Sequence, residues 1–131
     1  MTTSTTNILS LPLAQATIVT GTNEDWIDSF VYIADDGTAN PPQIDLHGIR
    51  FEMEIRRAAD DSEVILQAST DNQSLAYGVA PDVGYLFINI SHDSMVTREP
   101  GIYVGEIVAM DAFYQRRTIL IDLTIVEGIA R

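Results

Sequence analysis

From Arg116 to Val126 the side chains alternate, with Ile119, Ile121, Leu123 and Ile125 standing between Thr118, Leu120, Asp122 and Thr124. Successive side chains of a strand point to opposite sides, so a period of two over this length predicts a β-strand with one buried face. Ile49 to Arg57 repeats the pattern more cleanly: Ile49, Phe51, Met53 and Ile55 alternate with Arg50, Glu52, Glu54 and Arg56. Tyr85 to Ser91 sets Leu86, Ile88 and Ile90 against Tyr85, Phe87 and Asn89. Further strands are expected at Ala14 to Thr20, at Trp26 to Ile33, at Glu63 to Ala68 and at Gly101 to Asp111, with an edge strand around Leu75 to Val79. Trp26 to Ile33, WIDSFVYI, is rich in the aromatic and β-branched residues that pack well on a pleated surface. Between strands lie clusters of Asp, Gly, Asn and Pro, above all Ala34 to Gln43, which supply the backbone conformations of turns. His92 to Arg98 is read as one helical turn capped by Ser91 or Asp93. Seven or eight short strands without a long helix predict an all-β sandwich or small barrel.

The strand Gly101 to Asp111 does not alternate. If Tyr103, Ile107 and Ala109 face inward, the other side carries Ile102, Val104, Val108 and Met110, with Glu106 its one charge. A solvated face of an antiparallel sheet should be polar. Leu120 and Val126 extend this second apolar face across the hairpin, which is therefore covered by the chain's own N-terminal arm or by another subunit. Ile102, Val104, Val108, Met110 and Leu120 are the candidate interface residues. The arm, residues 1–14, precedes a single domain of residues 15–131. Its polar start reads as a frayed tail, or as an arm laying Ile8, Leu9, Leu11 and Leu13 on a neighbouring subunit.

Charge narrows the partners. Nineteen acidic against seven basic residues give a net charge of −12, which repels nucleic acid and anionic lipid. The N-terminal segment has no positive charge, and Pro12 breaks its short apolar run, so it reads as neither a secretory signal nor a membrane span. The chain has no cysteine, which removes disulfides, thiolate metal sites and cysteine catalysis.

No catalytic, metal-binding or cofactor-binding constellation is expected. His47 and His92 are the only histidines and lie in no metal-binding spacing. Ser91 and His92 are adjacent, so on a strand they would point apart. The carboxylate pairs Asp25 and Asp28, Asp35 and Asp36, and Asp60 and Asp61 all fall near turns; calcium is their alternative ligand, without a DxDxDG spacing to hold it.

Two resemblances add to this reading. Met95, Glu99, Gly101 and Tyr103 are spaced like the corner between the fifth and sixth strands of immunoglobulin-like sandwiches, where a tyrosine hydroxyl bonds back to upstream backbone. The resemblance implies an immunoglobulin-like antiparallel β-sandwich of seven to eight strands, with Glu99, Gly101 and Tyr103 forming the structural corner. Gly105 stands where antibody domains carry a cysteine, and Trp26 comes too early to be their core tryptophan. Over residues 15 to 130, Trp26, then Pro42, Asp45, Leu46 and Gly48, the strand of Phe51, Met53 and Ile55, and Pro100, Gly101 and Tyr103 followed by Asp111 resemble the N-terminal β-sandwich of upper baseplate proteins of tailed phages. His47 departs from the small hydroxyl residue of that pattern. This second resemblance implies a non-enzymatic component of a phage or prophage tail or baseplate, assembled in the host bacterial cytoplasm. It also implies a homo-oligomer of cyclic symmetry that contacts other virion tail proteins. The alternative is a small carbohydrate- or ligand-binding module using the loops Asp35 to Gln43 and Ala68 to Tyr77, with Trp26 or Tyr77 as a stacking platform.

Overall fold

The computed structural model describes residues 11–34, 37 and 39–127. They form eight strands and one short helix: β1 (Ala14–Gly21), β2 (Trp26–Val31), β3 (Arg50–Arg56), β4 (Leu66–Ser69), β5 (Leu75–Tyr77), β6 (Tyr85–Ile90), α1 (His92–Met95), β7 (Gly101–Met110) and β8 (Gln115–Val126). One sheet has the order β1-β8-β7-β3-β4 and the other β2-β6-β5. The chain changes sheet after β1, β2, β4 and β6 and turns back within a sheet at β3–β4, β5–β6 and β7–β8. This is the immunoglobulin-like sandwich, with β8-β7-β3 facing β2-β6-β5.

The core lies between the two sheets. Trp26, Phe51 and Tyr103 are its largest fully buried side chains, and the Tyr32 and Phe51 rings meet there at 5.6 Å. Its wall from the larger sheet is the alternating set read from the sequence: Phe51, Met53 and Ile55 on β3, Tyr103, Ile107 and Ala109 on β7, and Ile119, Ile121, Leu123 and Ile125 on β8. Gly105 also faces inward. A Cβ there would stand 2.2 Å from Cδ1 of Ile55, so the isoleucine occupies the space and only glycine fits beside it.

Four details differ from the sequence reading. β1 and β8 run parallel, pairing Ala14 with Ile119 through Gly21 with Val126, so the sandwich is not wholly antiparallel. Parallel neighbours require a long connection, and almost the whole chain lies between these two. β4 starts at Leu66 instead of Glu63, because Asp61 Oδ1 accepts the Glu63 amide and prolongs the turn. Thr118 is buried, not outward. The β7–β8 register shifts between Ile107 and Val108, so Ile107 pairs with Ile119 and Val108 with Arg117, leaving Thr118 as the extra residue of a bulge. Its hydroxyl donates to the Ile107 carbonyl (3.0 Å) and lies 2.9 Å from the Tyr32 hydroxyl, which satisfies both groups inside the core. Burial pushes the Tyr32 hydroxyl up to about 12, partly offset by the Thr118 bond. Finally, Leu11 belongs to the core of its own chain, and Arg116 Nε donates to its carbonyl at 2.6 Å, while Leu13 is exposed. Ile8 and Leu9 lie outside the described residues.

Candidate interaction surface

Side chains with chemical potential are dispersed. Among the described residues no group of three or more histidines and carboxylates is placed to hold a metal. His47 Nδ1 lies 2.9 Å from Asp45 Oδ1, and its ring stacks on Tyr77 at 5.2 Å. The backbone N–H of His47, followed by its ring, holds the Asp45 carboxyl below the usual carboxylate range. His92 is remote from that pair: its backbone N–H donates to Asp25 Oδ1 at 2.5 Å, and Ser91 caps α1 by accepting the Ser94 amide. Asp28 accepts the Trp26 indole N–H at 2.7 Å. Asp61 serves its turn, and Asp35 and Asp36 lie outside the described residues. Trp26 is 1% exposed, so it offers no stacking platform. Tyr77 is half-buried, donates to the Ile49 carbonyl and has one ring face against His47.

The corner residues come together. Tyr103 is buried and its hydroxyl donates to the Glu99 carbonyl at 2.5 Å. Gly101 between them has φ +155°, a conformation that residues with a Cβ rarely adopt. Arg57 closes the corner from outside, bonding the Glu99 carboxylate at 2.6 Å with its guanidinium 5.4 Å from the Tyr103 ring centroid. The Glu99 bond is the main reason the Arg57 pKa is raised.

The outer face of the five-stranded sheet carries all the candidate interface residues. Ile102 is 78% exposed, whereas Val104, Val108, Met110 and Leu120 are half-buried. Cross-strand register explains the difference. Val104 lies between Asp122 and Arg56, Val108 between Arg117 and Glu52, Met110 between Gln115 and Arg50, and Leu120 between Glu106 and Gln15. The β3 ladder stops at Arg56, one outward position short of Ile102. The charges are themselves paired: Arg117 with Glu106, Arg56 with Glu54 at 2.8 Å, Arg50 with Glu52 at 2.9 Å, and Asp122 with the Gln15 amide at 2.8 Å. An apolar column of one strand is thus roofed by the long polar side chains of its neighbours.

The opposite face, on β2-β6-β5, has no such roof. Its outward positions are Ile27, Ser29 and Val31 on β2, Tyr85, Phe87 and Asn89 on β6, and Ala76 on β5, none of them charged. Ile27 is 65% exposed and Val31 46%, and the Tyr85 and Phe87 rings stack at 5.8 Å. The sequence reading placed Tyr85, Phe87 and Asn89 on one side of their strand but did not single out the face. The signal was the lack of charge at those positions and at Ile27, Ser29 and Val31, which becomes one surface only once β2 and β6 are paired. Comparison with known proteins finds no matching family model and no similar curated sequence.

Proposed function

We propose that this chain is a non-enzymatic structural module that assembles with its own copies, serving in the tail or baseplate of a phage or prophage particle. The observation that carries the reading is the uncharged aliphatic and aromatic face of β2, β6 and β5. Contiguous exposed apolar surface marks interaction sites, and full burial of such a side chain is worth about 1.5 to 3 kcal/mol. Copies bearing −12 each repel one another, so they meet most readily where the contact adds no charge. Two strands of six residues and one of three, about 4.8 Å apart, offer a face of roughly 240 Å². A stable interface takes about 800 Å² from each partner. The small face therefore needs a second contact, and the opposite face, with exposed Ile102 beside Val104, Val108, Met110 and Leu120, supplies it. Two opposed contact faces give each copy two neighbours, the geometry of rings and stacks. The phage assignment rests on the baseplate-like run from Trp26 to Asp111. Light scattering coupled to size exclusion tests self-assembly: the expected mass is a multiple of 14.4 kDa. A monomer at all accessible concentrations would overturn assembly, and flanking genes unrelated to virion tails would overturn the assignment.

A further inference from the structure

We propose that the cleft between the start of β4, the β4–β5 turn and the end of β6 with α1 binds a small carboxylate-bearing saccharide. β4 is the edge strand of its sheet, and the cleft opens between its first residues and the end of β6 in the other sheet, beside the turn at Asn72 to Ser74. The opening is a depression of about 470 Å³, within the size range of small-molecule sites. Although the chain has nineteen acidic residues, no carboxylate lines this cleft among the described residues.

It does contain Arg98. Arg50, Arg56, Arg57 and Arg117 each hold a carboxylate, but Arg98 has no carboxylate partner among the described residues. Its Nε donates to the Ser94 carbonyl at 3.1 Å, which tethers the half-buried guanidinium at the cleft wall. The terminal N–H groups are the fork that matches a carboxylate. Asn72 supplies donors of another kind. Its Oδ1 accepts from the Ser74 amide (3.0 Å) and the Ser74 hydroxyl, so the side-chain oxygen is engaged and the two N–H donors are left for a ligand hydroxyl. Ile65 and Ile90 give the cleft an apolar wall for the C–H face of a sugar ring. An arginine fork, amide donors and an aliphatic wall, with no competing carboxylate, together fit a polyhydroxylated acid better than a neutral sugar or a cation.

Sodium glucuronate, with glucose and sodium acetate as controls, tests the site on the intact protein by saturation-transfer NMR. Saturable binding of glucuronate is expected, with glucose and acetate each weaker by roughly tenfold or more. Arg98→Gln should reduce glucuronate binding to the level of glucose, and Asn72→Asp, which places a carboxylate in the cleft, should weaken it by at least about tenfold. Absence of saturable binding up to about 50 mM glucuronate, equal binding of acetate or glucose, or full binding by Arg98→Gln would each overturn the proposal. Self-assembly is read separately by light scattering, so failure of either proposal leaves the other standing.

Discussion

Both outer faces of this sandwich carry outward apolar side chains, and they differ in what stands beside them. On the five-stranded sheet, Val104, Val108, Met110 and Leu120 are each bracketed by polar or charged side chains of the adjoining strands, most of which pair with one another. On the three-stranded sheet, the cross-strand partners of Ile27, Val31, Tyr85 and Phe87 are Asn89, Tyr85, Val31, Ser29 and Ala76, none of them charged. An apolar column one strand wide can be shielded by long side chains from both flanks. A patch spread over two strands cannot, because its flanks are apolar too. Exposure of a hydrophobic residue on a sheet is therefore a property of its row across the strands as much as of its own strand.

The comparison is most directly broken by placing a charge on each face in turn. Phe87→Glu should weaken self-association by roughly a hundredfold, in keeping with an aromatic anchor at an interface, while changing folding stability within about 0.5 kcal/mol. Light scattering over a dilution series together with urea unfolding measures both. If Val108→Glu dissolves the assembly and Phe87→Glu leaves it whole, the two faces have the reverse ranking. The next effect is internal. Tyr103→Phe removes the bond to the Glu99 carbonyl and should cost about 0.5 to 1.5 kcal/mol in the denaturant midpoint, with the mass in solution unchanged. A changed mass would show that the shape of β7 beneath the five-stranded face governs assembly. Arg117→Gln is the smallest. It removes the partner of Glu106 from the roof and should cost about 0.2 to 1 kcal/mol at low salt, vanishing in high salt because the pair is exposed to solvent. A salt-independent loss would mean that the arginine stem, by covering Val108, contributes more than its charge.

Much of the fold was legible because burial imposes a period of two. β3, β6 and β8 announce their inner faces by simple alternation, and the Glu99, Gly101 and Tyr103 spacing anticipates the bond between Tyr103 and Glu99. What local pattern could not supply was whatever depends on pairing. Thr118 looks outward by alternation and is turned inward by a bulge whose position is set by two strands together. The parallel β1–β8 pair joins segments about a hundred residues apart, a relation no local period encodes. The surface was less legible for the same reason. Ile102, Val104, Val108 and Met110 form an apolar stripe along β7 interrupted only by Glu106, and only the register with β3 and β8 brings Arg56, Glu52 and Arg117 to its flanks. The uncharged face needed β2 matched with β6, and the cleft needed Arg98 near the turn at Asn72.

The parallel β1–β8 pair also decides how the domain would bear a mechanical load. Because both strands run the same way, the start of β1 and the end of β8 lie at opposite poles of the sandwich, separated by eight paired residues spanning roughly 25 Å. Tension applied between those two points slides one strand along the other, so the hydrogen bonds of the pair are strained together. An antiparallel pair held at one end would instead open bond by bond. In a string of such units the pull would run lengthwise through β1 and β8, and each unit would resist it by shear.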